Sequence, residues 1–177
     1  MASLKKGKIV LGIITNQPTL LKEVEELLKP EWGEIELKSE MMNFDFTDYY
    51  EKEFGKGLLR LWESFERIVE EDRLVDLKML TNDLERQFLK DGKRRINLDP
   101  GILTLSKYIL ATKKDYSHRI YIRNGIYAEV TLIYKNKSFH PLEWTYPDYK
   151  KPEAIGFFNK VRELLKLQLK RGSRLLL

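Results

Sequence analysis

The sequence predicts one α+β domain with a ferredoxin-like βαββαβ core, extended toward the C-terminus by a β-hairpin and a helix. Three observations carry this reading. Lys8–Ile14 is a nearly unbroken apolar run, as in a strand buried on both faces. Two later segments repeat apolar residues at helical spacing and are separated by short alternating segments. Asn124-Gly125 then sits between two β-rich segments, the strongest short signal for a hairpin because both residues tolerate positive φ.

Taken in order, the first strand is followed by Asn16, a candidate helix cap, and Pro18 in the first turn. Leu20, Leu21, Val24, Leu27 and Leu28 form one helical stripe, which Lys29-Pro30 is expected to end. Glu34–Lys38 alternates like a half-buried strand. Leu58–Phe65 favours a strand, since Leu59, Leu61 and Glu63 alternate with Arg60, Trp62 and Ser64. Leu74, Leu77, Leu80, Leu84 and Phe88 mark a helix over Arg73–Lys90, closed by Asp91-Gly92. Arg95–Leu98 reads as a short strand ending in a sharp Asp99-Pro100-Gly101 turn. Leu103–Thr112 is open between helix and strand. Arg119–Ile122 and Tyr127–Tyr134 make the hairpin, and a last helix begins at Pro152. Residues 168–177 form a basic, apolar tail beyond a core of about 8–167, either mobile or docked on a neighbour.

Composition narrows the function classes. The 177 residues are 42% apolar and 33% charged, a globular balance with enough chain to bury a core. No cysteine is present, which excludes disulfides, thiolate nucleophiles and cysteine-based zinc sites and suits a reducing compartment. Only His118 and His140 occur, so a histidine-rich metal site is excluded as well. The N-terminal stretch lacks the apolar segment of a signal peptide, and Ile9–Ile14 is far short of the ~20 residues that cross a bilayer. A cytoplasmic protein with no membrane contact is expected. The net charge is +5, but Lys90–Arg123 alone carries nine basic and three acidic residues. That local excess suits an anionic partner such as phosphate, nucleotide or nucleic acid, or else a solvated basic face.

Five segments could carry chemistry. Asn43–Tyr50 places Asp45 and Asp48 among four aromatics, a pattern that could hold Mg²⁺ or stack a ring, and that equally suits a loop filling the core. Arg94–Gly101 puts Arg95, Asn97 and Asp99 on one strand face, with Arg94 beside them for a phosphate. Thr112-Lys113-Lys114-Asp115 follows an apolar run and has the look of the guanine-reading element of P-loop GTPases. The phosphate-cradling G-x-x-x-x-G-K-[ST] loop is missing, because Ile13-Ile14 follows Gly12, so the chain is not a P-loop GTPase. His118, beside Arg119, is a candidate general base or a surface residue at a strand edge. Pro141–Tyr149 gathers Trp144, Tyr146 and Tyr149 as a stacking platform, a lid, or a segment that closes the core.

Together these segments resemble an uncharacterised bacterial family, a domain of unknown function whose members are sometimes labelled "GTP-binding protein". The resemblance runs from about Lys8 to Leu165. It rests on Phe44–Tyr50, Asn97–Gly101, Thr112–Asp115, His118-Arg119, Gly125–Thr131 and Trp144–Tyr149. It implies no established activity.

The expected function is binding of a phosphorylated small molecule or nucleotide in a mixed acidic and basic pocket. Arg94, Arg95, Asn97, Lys113, Asp115, Arg119, Tyr127, Trp144 and Tyr146 are the candidate ligand contacts. Asp45, Asp48, Asp99 and Glu129 are candidate ligands for Mg²⁺, and these four with His118 are candidate catalytic groups. One alternative is an RNA-binding protein using the same basic segment, although the aromatic signature of RNA-recognition motifs is missing. Another is a structural protein that binds a partner through its tail.

Overall fold

The structure is a computed structural model and describes residues 5–174, with side chains through residue 172. Its described residues form nine strands in one sheet. These are β1 (Lys6–Thr15), β2 (Ile35–Lys38), β3 (Met42–Asn43), β4 (Leu59–Glu70), β5 (Ile96–Leu103), β6 (Lys107–Thr112), β7 (Ile120–Arg123), β8 (Ile126–Lys135) and β9 (Ser138–Pro141). The order is β2-β4-β1-β5-β6-β8-β7, with β3 also on β4 and β9 also on β8. All ladders are antiparallel. The helices are α1 (Leu21–Trp32), α2 (Glu51–Phe54), α3 (Leu74–Gln87) and α4 (Pro152–Arg174). None is long and apolar enough to cross a membrane.

Because strand side chains alternate, each central strand supplies both faces of the sheet. Ile9, Leu11 and Ile13 of β1 join Leu61, Phe65, Ile96 and Leu98 on one face, against Val24, Leu28 and Trp32 of α1 and Leu74, Leu77 and Leu84 of α3. Val10, Trp62, Tyr108, Leu110 and Leu132 form the opposite face, where Phe157, Phe158, Val161 and Leu165 of α4 pack. The apolar run of β1 is thus that of a strand covered on both sides. The far end of the second face is covered by other parts of the chain: Phe44, Tyr50, Phe54 and Leu58 gather around Ile14.

Several expectations are corrected. Asn16 does not cap α1; its Nδ2 donates to the Phe54 and Lys56 carbonyls at 2.6 and 3.2 Å, tying down the 54–56 segment. Pro30 does not end α1, which runs to Trp32 because that ring is buried against Phe65; Gly33, at φ 82°, ends it. No turn forms at Asp99-Pro100-Gly101. Strand β5 runs straight through it, pairing with β1 from Ile96 to Leu103. The Leu98 backbone groups point away from β1, so the amide that Pro100 lacks lies on the same outer side, before β6 begins to pair at Gly101. Gly101 is required because a Cβ there would sit 2.5 Å from the Tyr108 ring, which crosses it to donate to the Val10 carbonyl. The open stretch 103–112 is the end of β5 and all of β6, and an unforeseen second hairpin joins β8 to β9 through Asn136 and Lys137, both at positive φ.

The Asn124-Gly125 hairpin forms with both residues at positive φ, 54° and 71°. Of the tail, residues up to 174 continue α4, with Gln168 bonded to Lys8 and to the Glu66 carbonyl. Residues 175–177 lie outside the described residues.

Candidate functional site

A fork in the sheet creates the site. Strands β5 and β6 pair only from Gly101 to Leu103 against Leu110 to Tyr108. Beyond that, β5 stays with β1 as far as Ile96–Thr15, while β6 stays with β8 as far as Thr112–Tyr127. The exposed edge of β5 would strand polar backbone groups, which is costly in a buried place. Two side chains from α3 replace the missing strand. Lys78 Nζ donates to the Leu98 carbonyl at 2.9 Å, and Glu85 Oε1 accepts from the Leu98 amide at 2.7 Å.

A cavity of about 740 Å³ opens at this fork. Ile14, Arg60, Asn97, Asp99, Leu110 and Thr112 supply its sheet wall, and Lys78, Asn82, Glu85, Arg86 and Leu89 its helix wall. The roof comes from Phe44, Phe46, Thr47, Tyr49 and Tyr50 on one side and Tyr146–Tyr149 on the other, with Lys113, Lys114 and Tyr116 at the rim. The Thr47 hydroxyl accepts from the Tyr49 amide and starts the short helical turn that holds Tyr49 and Tyr50. Lys114 Nζ lies 3.9 Å from the centre of the Tyr49 ring and so latches roof to rim.

The floor is a chain of buried charges. Arg60 Nε donates to Asp148 Oδ2 at 2.7 Å, and both side chains are almost fully buried. The Phe44, Trp62 and Tyr149 rings surround the guanidinium at 5.4–5.6 Å. Asp99 accepts from Lys78 at 3.2 Å and from Asn97 Nδ2 at 2.6 Å. Arg94 continues the chain, to Asn97 at 3.0 Å and to both oxygens of Glu53 at 2.8 Å. Burial pushes the Asp99 carboxyl up, but Lys78, Arg60 and the Asn97 bond outweigh it, so it lies below the usual value and stays ionised. Glu85 goes the other way: burial raises it despite Lys78 and the Leu98 amide. Burial also raises the Tyr50 and Tyr149 hydroxyls, keeping both neutral donors.

A second cluster backs the rim. Glu129, fully buried, accepts from Arg119 Nε at 2.7 Å and from the Thr131 hydroxyl at 3.0 Å, and its Oε2 lies 3.0 Å from His118 Nε2. Arg119 also donates to the Lys114 carbonyl and the Tyr146 hydroxyl, both at 3.0 Å. The His118 ring is stacked between Tyr116 and Trp144.

Of the residues singled out from sequence, Arg94, Asn97, Asp99, Lys113 and Tyr146 line the cavity. Arg119, His118, Glu129 and Trp144 form the cluster behind the rim, and Trp144 donates to the Val130 carbonyl. The others are elsewhere. Arg95 donates to the Phe88 carbonyl at the end of α3, Tyr127 packs edge-on against Tyr121, and Asp115 is exposed away from the lining. Asp45 and Asp48 are exposed on the roof. The four carboxylates considered for Mg²⁺ therefore do not converge, and no group of three acidic or histidine side chains among the described residues is placed to hold a metal ion. Local pattern put Asp45 and Asp48 together, whereas the buried partners of Asp99 and Glu129 are cations.

Sequence reasoning missed Arg60, Lys78, Glu85 and Asp148. Two signals were readable. Arg60 shares a strand face with Trp62, and Lys78 falls four residues after Leu74, inside the buried stripe of α3.

A model for a domain of unknown function, DUF4416, matches residues 5–165. The chain belongs to that family. In this DUF4416 member the matched stretch includes both the forked strands and the whole roof. No curated protein and no solved structure matches the chain.

Proposed function

We propose that the fork cavity binds a phosphorylated small molecule or nucleotide. The observation that carries this reading is the composition of the lining. Six basic side chains (Arg60, Lys78, Arg86, Arg94, Lys113, Lys114) face three acidic ones (Glu85, Asp99, Asp148), together with seven aromatic rings. The acids are already matched to Lys78, Arg60 and Arg94, and Arg86 pairs with Asp83 on its own helix, so the surplus positive charge falls on Lys113 and Lys114, where a phosphate can stay partly hydrated. Rings in the roof suit a flat ligand body. Charge neutralisation comes from these cations, with no resident Mg²⁺ required.

A thermal-shift screen of nucleoside monophosphates and sugar phosphates tests the reading. A ligand held at 100 times its Kd raises folding stability by about 2.7 kcal/mol. Absence of any shift across the panel, with Mg²⁺ present or not, would overturn it.

A second reading, binding of single-stranded RNA, draws support from the Tyr116–His118–Trp144 ring stack beside exposed Lys113 and Lys114. RNA affinity would then fall steeply with salt. We also infer that β1-α1-β2-β4-α3-β5 is a ferredoxin-like unit to which β6–β9 and α4 were added, a reading supported by the strand order β2-β4-β1-β5.

A further inference from the structure

The walls that α3 and β5 give the cavity hold polar atoms that the fold leaves unused. Lys78, Asn82 and Glu85 are spaced at i, i+4 and i+7, so they share the face of α3 that meets β5. Lys78 and Glu85 hold the Leu98 backbone groups. Asn82, between them, lines the cavity, and its carboxamide has no hydrogen-bond partner among the described residues. On the sheet wall the Asp99 side chain is still 22% exposed. One of its oxygens accepts from Lys78 and the other from Asn97, two of the roughly four bonds that a carboxylate can accept. Lys78 in turn gives to Leu98 and Asp99 and keeps a donor to spare.

Spare acceptors and donors together suit a group that is both. A hydroxyl donates to the Asp99 carboxylate and accepts from the Asn82 amide or the Lys78 ammonium. A phosphate in the same place would meet the Asp99 and Asp148 carboxylates, whose cations are already matched. Lys113 and Lys114 at the rim receive it without that repulsion. The roof fits the other side of such a body, because the polarised C–H bonds of a sugar lie well on the electron-rich faces of rings such as Tyr49, Tyr50 and Tyr146.

We propose that the fork cavity recognises a sugar, its hydroxyls held by Asp99 and Asn82 and its phosphate by the Lys113–Lys114 rim. The inference rests on the phosphorylated-ligand reading above and narrows it to ligands with neighbouring hydroxyls, whether a free sugar phosphate or the ribose of a nucleotide. A deoxy analogue leaves the carboxylate or the amide without its bond, so the site discriminates against it.

Calorimetric titration compares ligands that differ by a single hydroxyl: the terminal phosphate esters of ribose and deoxyribose, those of glucose and deoxyglucose, and guanosine monophosphate with deoxyguanosine monophosphate. In at least one pair the hydroxylated member is expected to bind about 10-fold more tightly, since its bond is to a charged acceptor. The pair that shows this preference identifies the source of the sugar. Asn82→Ala is expected to weaken that member about 3- to 10-fold. It should leave the urea midpoint unchanged or higher, because no contact of the fold uses the amide and alanine favours a helix. Asp99→Asn keeps the shape of the side chain and is expected to abolish most of the preference; if it does not fold, Asn82→Ala decides alone. Equal binding within all the pairs, or Asn82→Ala binding as tightly as wild type, would overturn the sugar assignment while the phosphorylated-ligand reading stands. If free ribose or glucose binds as tightly as its phosphate, the sugar assignment stands and the phosphate reading fails. If nothing in the panel binds, both fail together.

Discussion

Arg60 and Asp148 are 88 residues apart in the chain, yet their guanidinium and carboxylate meet at 2.7 Å with almost no exposure to solvent. The contact joins the start of β4 to the segment that roofs the cavity. It therefore couples the stability of the fold to the shape of the site.

Removing one member of such a pair leaves the other charge buried and unmatched. Asp148→Ala is expected to cost about 3–5 kcal/mol in urea unfolding. The double variant Arg60→Met/Asp148→Leu is expected to recover most of that loss, because a well-packed apolar pair carries no desolvation penalty. A double variant as unstable as Asp148→Ala would show that the ion pair itself, and not the orphaned charge, sets the cost.

Glycine at position 12 is expected to be nearly irreplaceable. Its Cβ would press on Arg60, Trp62 and Tyr149, all held by packing, so Gly12→Ala should destabilise by about 1–3 kcal/mol. Gly156→Ala, where nothing lies within 4 Å of the new carbon and the backbone is helical, is the matched control and should be neutral or slightly stabilising. Equal effects at the two positions would refute the crowding argument.

Stability should have two pH limbs. Burial, then the neighbouring Glu25, pushes the Glu63 carboxyl up to about 8 from an ordinary 4.5, against Lys38 at 3.4 Å. A raised carboxyl takes up a proton on folding. Its contribution is complete below the unfolded value and is lost as pH climbs through 8. Glu63→Gln should flatten that alkaline limb, worth about 2–4 kcal/mol between pH 5 and 9. Asp99 and Glu53 are depressed, so their contribution is present above their ordinary values and disappears as pH falls below them. Thermal melts from pH 3 to 10 on wild type and Glu63→Gln check both signs; an unchanged alkaline slope in the variant would sink the assignment to Glu63.

The hairpin turn offers a local test. Gly125 stands at φ 71° with open space around it, so Gly125→Ala should cost about 1 kcal/mol through backbone strain alone. Asn124→Gly should cost little, because glycine tolerates the same conformation.

The alternation of β4, the stripe of α3 and the Asn124-Gly125 turn were legible because each depends on neighbours a few positions away. So were Asn97 and Asp99 on one strand face, since alternation alone puts them there; Arg95, expected in the same row, turns instead to the Phe88 carbonyl. The Asp99-Pro100-Gly101 turn was misread for the converse reason. A proline and a glycine in series look like a bend until β1 and Tyr108 are in place to need them. Arg60 and Asp148 belong to the same class. Each is an unremarked charge in its own segment, and only the sheet's order, which places β4 beneath the 146–149 roof, makes them partners. Local periodicity is written into the chain because covalent spacing enforces it. The fork between β5 and β6, and the cavity it opens, arise from which strands part company, and that is decided by contacts between residues far apart in sequence.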